Sequence, residues 1–228
     1  MIHDGISSSS GDRIWHGQNW GTGFDGLYPG SVLVSTTDGV TVPVIPQLSQ
    51  NWIRYMLEKD PQFDFSTLNY TSIRELYYQN IAQYDETVGA SDPDLSAFRD
   101  AGGKLLTYHG LTDNLVYPNG TVRYRQEVDK LLGGTETVND FFRLFYVPGL
   151  GHCGGGYGPV PIDPLAALVA WVENGTEPES IAAEFTDASG DLVTHNICHF
   201  PLVSRYGGYG DPKATSSYSC ATSYGPEV

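Results

Sequence analysis

A carboxylate and an imidazole follow two apolar, strand-like runs in this chain of 228 residues. Asp113 comes shortly after the run 104–109 (KLLTYH), and His152 comes shortly after the run 141–147 (FFRLFYV). A carboxylate fixes the tautomer of a neighbouring imidazole, so that the other ring nitrogen can take a proton from a hydroxyl group. The two residues are therefore candidates for the acid and the base of a catalytic triad.

Each residue of this pair also has a purely structural interpretation. A histidine after a strand is often a hydrogen-bonded loop residue, and an aspartate in such a place often caps a helix. The glycines at 151 and 154–156 favour the catalytic interpretation, because they let the backbone approach closely around His152. They do not form a phosphate-binding loop, since no Gly-Lys-Ser or Gly-Lys-Thr follows them.

The segments that position the pair alternate between strand and helix from about residue 96 onward. Between the two apolar runs, residues 122–132 carry apolar side chains at helical spacing and end at a pair of glycines. Two strands joined by one right-handed helical crossover are parallel and leave the sheet at the same edge. The pattern predicts an α/β fold that brings Asp113 and His152 together.

A further helix and a hairpin are predicted after His152. Asp163 and Pro164 begin the helix, which ends near Gly175. The hairpin pairs strands at 183–187 and 192–198. The helix is expected to bury four of its apolar side chains: Leu165, Leu168, Val169 and Val172.

Residues 1–95 form a less regular unit, in which aromatic residues and glycines alternate without a sustained period. Two helices are expected there. One is capped by Ser49 and stopped before Pro61, and the other covers about 73–84. The sequence thus divides into a unit at 1–95 and an α/β unit at 96–228.

Composition limits the classes of function. The net charge of −15, from 12 Lys and Arg against 27 Asp and Glu, argues against nucleic acid as a partner. No stretch approaches the roughly 20 apolar residues of a membrane span, and no cluster of side chains suggests a metal site. Three sequons predict glycosylation of a secreted, extracellular protein, at Asn69, Asn119 and Asn174. Because residues 1–5 do not resemble a signal peptide, the chain is either intracellular or a downstream fragment of a longer precursor.

The three cysteines give an odd count. Cys198 and Cys220 flank a tail rich in Tyr, Gly and Ser, which a disulfide between them would stabilise. Cys153 is then left for a bridge to another chain, and a buried free thiol is the alternative.

The nucleophile of a triad is missing from the sequence. In α/β-hydrolases the order along the chain is Ser, Asp, His, with the Ser in a G-x-S-x-G turn, and this chain contains no such motif. Either the nucleophile lies on another polypeptide, or the protein is not a hydrolase.

Four segments resemble fungal tannases and their relatives, the tannase-type feruloyl esterases. These are 102–113 (GGKLLTYHGLTD), 140–156 (DFFRLFYVPGLGHCGGG), 170–175 (AWVENG) and the tail 198–220, which contains RYGGYG. The resemblance implies the C-terminal part of an α/β-hydrolase fold at 96–228 and part of an irregular lid domain at 1–95. It also implies that Asp113 is the acid and His152 the base.

The same resemblance implies a partner. Cys153 would bridge to the cysteine beside the nucleophilic Ser, which lies in the N-terminal chain of the same precursor. No cofactor is implied for catalysis, and a structural calcium ion is expected only in the upstream chain. The implied activity is cleavage of gallate esters and depside bonds of tannins. The alternatives are a feruloyl esterase acting on hydroxycinnamate esters and, from another class, a non-catalytic carbohydrate-binding module.

Overall fold

The computed structural model describes residues 3–8, 10–11, 13–23, 33–44 and 47–222. The strands are β1 (Ile6–Ser7), β2 (Arg13–Trp15), β3 (Leu33–Thr37), β4 (Val40–Val44), β5 (Leu105–Gly110), β6 (Phe142–Val147), β7 (Val160–Pro161), β8 (Ser180–Thr186), β9 (Leu192–Cys198), β10 (Val203–Tyr206) and β11 (Tyr218–Ala221). The α-helices are α1 (Gln47–Asn51), α2 (Tyr70–Val88), α3 (Ser96–Asp100), α4 (Pro118–Leu132), α5 (Thr135–Asn139) and α6 (Pro164–Asn174).

A parallel pair of strands, β5 and β6, forms the centre of the α/β unit. Its register runs from Leu105 opposite Phe142 to Gly110 opposite Val147, and the helix α4 lies in the crossover between the two strands. Five of the six residues of β6 are buried, as expected for a strand covered on both faces. In the described part of the chain, the other edge of β5 has no strand beside it. The predicted strand–helix–strand unit and the α/β class are confirmed.

Helix α4 is fixed to β6 through a buried arginine. Arg125 is 0% exposed and lies 2.7 Å from the carboxylate of Asp129, one turn further along the helix. Its guanidinium also donates to the backbone oxygen of Phe142 (2.9 Å) and to the side-chain oxygen of Asn139 (2.6 Å). This network satisfies a charge that would be costly to bury alone. It thereby ties the crossover helix to the strand that precedes His152.

Helix α6 begins and ends where the sequence predicts. The side chain of Asp163 accepts a hydrogen bond from the backbone N–H of Ala166 (3.0 Å), and Gly175 ends the helix with φ 68°. The predicted buried face is wrong, because Leu165, Val169 and Val172 are 67%, 42% and 60% exposed and Leu168 is only half-buried. The side that packs inward carries Trp171 instead, 2% exposed.

The predicted hairpin after α6 is also present. β8 and β9 pair antiparallel from Ser180 opposite Cys198 to Thr186 opposite Leu192. A bridge between Phe145 and His199 then joins the end of this hairpin to β6. The hairpin therefore extends the central pair on the β6 side.

In the described part of residues 1–95, the helices differ from the sequence expectation. Helix α1 begins at Gln47, so Ser49 lies inside the helix and does not cap it. The chain continues as a π-helix at Trp52–Leu57, and α2 is longer than predicted because Asn69 and Ser72 form a capping box that starts it earlier. No helix in the described ranges combines the length and apolar character needed to cross a membrane.

Candidate active site

The structure brings Asp113 and His152 into direct contact. His152 Nδ1 lies 3.0 Å from Asp113 Oδ2, and the two side chains are 24% and 6% exposed. Asp113 follows β5 and His152 follows β6, so the pair sits at the carboxyl edge of the parallel strands, as predicted. The imidazole is thus open on one side, while the carboxylate is buried behind it.

The loops that carry the two residues are bonded to each other. The backbone N–H and the hydroxyl of Thr112 both donate to the backbone oxygen of Leu150, at 3.0 and 2.9 Å. The approach is so close that a Cβ atom on Gly110 would lie 2.2 Å from that oxygen. Only glycine fits at the end of β5, and this allows the Asp113 loop to rest on the His152 loop.

The His152 loop is also closed at its base. The backbone N–H groups of Tyr157 and Gly158 both donate to the backbone oxygen of Gly149, at 2.9 and 2.8 Å. Between these points a short 3₁₀ turn, His152–Gly154, carries the imidazole. The glycines that the sequence places around His152 therefore build a tight loop.

The carboxylate of Asp113 receives hydrogen bonds on both oxygens. Oδ1 accepts from the backbone N–H groups of Leu115 and Val116, each at 2.8 Å. Oδ2 faces His152 and also the Nε2 atom of His109, which is 3.3 Å away. Burial raises the pKa of Asp113, but the hydrogen bonds from His109, Val116, His152 and Leu115 outweigh it and hold the pKa at about 2. Asp113 is therefore ionised at neutral pH.

An ionised carboxylate can only accept hydrogen bonds, so Nδ1 of His152 must carry a proton. In the neutral ring Nε2 is then the basic atom, the one that can take a proton from a hydroxyl group. The arrangement has the geometry of the base-orienting half of a triad. The catalytic roles themselves stay a prediction.

His109 was not among the candidate residues from the sequence. The signal was present, since an imidazole stands four positions before Asp113 at the end of a strand. Residues four apart face one another on a helix, whereas a strand residue and a loop residue meet only if the loop turns back. The sequence pattern does not fix that turn.

The cysteines fall into two groups. Cys198 and Cys220 form a disulfide, which ties the end of β9 to β11. Cys153, directly after His152, is exposed and has no disulfide partner within the described residues. The alternative of a buried thiol is therefore wrong. The backbone of Cys153 is left-handed (φ 51°), which costs a non-glycine residue about 1 kcal/mol.

The predicted glycosylation sites differ in their surroundings. Asn69 and Asn174 are exposed, at the start of α2 and at the end of α6. Asn119 is half-buried in the first turn of α4, and its side-chain nitrogen donates to Asn19 (2.9 Å). Within the ranges that the structure describes, no group of three or more His, Cys, Asp or Glu side chains could hold a metal ion.

Comparison with known proteins identifies the family. The family model described as "Tannase and feruloyl esterase" matches residues 2–221. A probable feruloyl esterase of Arthroderma benhamiae is 42% identical over 98% of this chain and 42% of its own length. Feruloyl esterase C of Talaromyces stipitatus is 34% identical over 75% of this chain and 35% of its own length.

The fold agrees with this assignment. The solved tannin acyl hydrolase of Aspergillus niger superposes with a TM-score of 0.81 at 24% identity, covering 96% of this chain and 41% of that structure. The chain thus spans less than half the length of these relatives. Because the family model covers nearly the whole sequence, the chain belongs to the tannase and feruloyl esterase family.

Proposed function

We propose that this chain supplies the acid and the base of a serine carboxylic ester hydrolase. The observation that carries the proposal is the 3.0 Å contact between His152 Nδ1 and an ionised Asp113. Membership of a family of esterases supports the same reaction class. A non-catalytic carbohydrate-binding module would have no use for this pair at the edge of a parallel sheet.

The proposed chemistry is acyl transfer in two steps. His152 Nε2 takes the proton of a serine hydroxyl as the serine oxygen attacks the ester carbonyl, and then gives that proton to the departing alkoxide. Water then attacks the acyl-enzyme, with His152 again as the base, and the acid is released. Asp113 stays ionised throughout and stabilises the imidazolium by its hydrogen bond and its charge.

The nucleophilic serine is proposed to lie in an upstream part of the enzyme. The sequence has no G-x-S-x-G motif, and the relatives are more than twice as long. Cys153 is exposed and adjacent to His152, so a disulfide from Cys153 to a cysteine beside that serine would fix the two catalytic loops together. The Cα atoms of two disulfide-linked cysteines lie roughly 4.4–6.8 Å apart, which is short enough to hold the His152 loop beside the serine loop.

Esters of hydroxycinnamic acids are the favoured substrates. Two relatives with 42% and 34% identity to this chain carry the name feruloyl esterase. Gallate esters and the depside bonds of tannins are the alternative, favoured by the resemblance of the four sequence segments to fungal tannases. Both classes place an aromatic acid on the acyl side of the ester, so the proposed reaction is common to them.

The proposed function is tested in the complete enzyme with methyl ferulate and methyl gallate. His152→Ala is expected to remove nearly all hydrolysis of both esters and to leave the melting temperature unchanged. His195→Gln is the matched control, since His195 lies in β9, where its ring packs on Phe185 and Tyr218. Full activity of His152→Ala would refute the proposal, and the ratio of the two wild-type rates decides the substrate class.

Secretion is part of the same proposal. We expect glycans on Asn69 and Asn174, which are exposed. We expect low occupancy at Asn119, because its amide nitrogen is bonded to Asn19 in the fold. Peptide mass spectrometry of the natively produced protein, before and after glycosidase treatment, measures the glycan occupancy of all three sites. Unmodified Asn69 and Asn174 would contradict passage through the secretory pathway.

A further inference from the structure

We propose that His109 is a positioning residue of this site, which holds the Asp113 carboxylate in the orientation that His152 needs. The inference rests on the proposed function, because it assigns a role within the same acid–base pair. His109 itself reaches no substrate in this role, and it acts through Asp113.

The hydrogen bonds of His109 define its tautomer. Its Nε2 atom lies 2.9 Å from the backbone oxygen of Val116 and 3.3 Å from Asp113 Oδ2. Both oxygens are acceptors when Asp113 is ionised, so Nε2 must carry a hydrogen. On the other side of the ring, Nδ1 lies 2.8 Å from the hydroxyl of Thr121, which can donate to it. A neutral ring therefore has a partner for each nitrogen.

These contacts close the turn that carries the carboxylate. Val116 donates its backbone N–H to Asp113 Oδ1 (2.8 Å) and accepts from His109 through its backbone oxygen. His109 belongs to β5, whose register opposite Tyr146 is fixed, and its side chain is only 12% exposed. Through His109, the strand β5 is thus linked to the backbone of Val116 and to Oδ2 of Asp113. Asp113 cannot rotate away from His152 without breaking these bonds.

Two effects follow from removing the Nε2–H donor. The Asp113 turn loses one anchor, so the carboxylate is less well aligned with His152, and kcat should fall by roughly 10–100-fold while KM changes little. The carboxylate also keeps only one imidazole donor on Oδ2, so its charge acts more strongly on His152. The acid limb of the pH profile should then move upward, by about half a pH unit. Among the described residues, His109 and His152 are the titratable groups that bond to Asp113.

The test compares two substitutions in the complete enzyme. His109→Gln keeps an amide donor that can reach Val116 and an oxygen that can accept from Thr121. His109→Phe keeps a ring of similar size but has no donor. We expect His109→Gln to retain kcat within about fivefold and the wild-type acid limb. His109→Phe should show the loss of kcat, the unchanged KM and the shifted limb.

Several results would overturn the inference. One is a His109→Phe enzyme with the kcat and pH profile of the wild type. Another is an equal loss in both variants, which would indicate packing only. If His109→Phe does not fold, Thr121→Val removes the hydroxyl that holds Nδ1 and should lower kcat by about threefold or more, with Asn119→Gln as the control for the lost sequon. No effect in Thr121→Val would then contradict the inference. His152→Ala, measured alongside, tests the proposed function separately.

Discussion

Replacing Asp113 by Asn changes one carboxylate oxygen into an NH₂ group, and the structure determines which one. Two backbone N–H groups point at Oδ1, each at 2.8 Å, while His152 and His109 face Oδ2. An amide nitrogen at the Oδ1 position would meet two donors and leave them unsatisfied, at a cost of about 1–3 kcal/mol each. The amide oxygen therefore stays at that position, and the NH₂ group faces His152.

The consequence for catalysis is a wrong tautomer. An NH₂ group can only donate, so Nδ1 of His152 must become the acceptor and Nε2 must carry the proton. A protonated Nε2 cannot take the proton of a serine. We expect kcat to fall by roughly 10⁴-fold, which corresponds to about 5 kcal/mol in the barrier.

The measurement is the steady-state rate of the complete enzyme on methyl ferulate and methyl gallate, with the melting temperature recorded in parallel. Asp163→Asn is the matched control, because Asp163 caps α6 through one accepting oxygen that an asparagine also offers. It should leave kcat unchanged. An Asp113→Asn enzyme with more than about a tenth of the wild-type kcat would show that Asp113 does not set the tautomer of His152.

The same substitution has a pH-dependent effect on stability. The pKa of Asp113 is lowered from 3.8 to about 2 in the fold, so the ionised carboxylate stabilises the fold above the unfolded pKa, by about 2 kcal/mol. That contribution is lost as the pH falls from about 4 to about 2. The difference in unfolding free energy between wild type and Asp113→Asn should shrink across this window. A difference that stays constant from pH 7 to pH 2 would contradict the shifted pKa.

Other substitutions test the remaining features. Cys153→Ser, or mild reduction of the native enzyme, should lower activity while the fold stays intact. Non-reducing gels test whether Cys153 joins this chain to a second one. Replacing Cys198 and Cys220 by Ser opens a disulfide that spans 22 residues and should lower the unfolding free energy by about 3 kcal/mol, measured by urea titration. Arg125→Met leaves Asp129 buried without its charge partner and should cost about 3–5 kcal/mol. The double variant that also replaces Asp129 by Leu should recover part of that loss, and no recovery would mean that the other acceptors of Arg125 dominate.

The sequence predicts the α/β half well, because its signals are local. Apolar runs of strand length, helical spacing between them and glycines at the helix ends were sufficient for β5, α4, β6 and α6. The same order of elements placed Asp113 and His152 at one edge of the sheet. Their contact follows from this order of strands and helices. In the structure, His152 Nδ1 lies 3.0 Å from Asp113 Oδ2.

The parts that were missed depend on contacts that a sequence pattern does not encode. The role of His109 requires the Asp113 turn to fold back on β5, which follows from the bonds at Val116. The hairpin of β3 and β4 lies in a stretch that the sequence predicts to be irregular, although Asp38-Gly39 between β-branched residues is a turn signal. For α6, the apolar spacing predicts the wrong buried face, because spacing alone does not specify which side of the helix packs inward. In this chain, Trp171 faces inward and Val172 lies exposed.

The edge of β5 that has no neighbouring strand among the described residues, together with the apolar side of α6, affects how this chain behaves in solution when it is prepared by itself. A strand edge offers unpaired N–H and C=O groups to a second copy, and exposed aliphatic side chains strengthen such association. The net charge of −15 opposes it by repulsion between copies. Salt screens that repulsion, with a screening length of about 10 Å at 0.1 M. We therefore expect the isolated chain to be most dispersed in dilute buffer well above its isoelectric point of about 4.5, and to aggregate as salt is added.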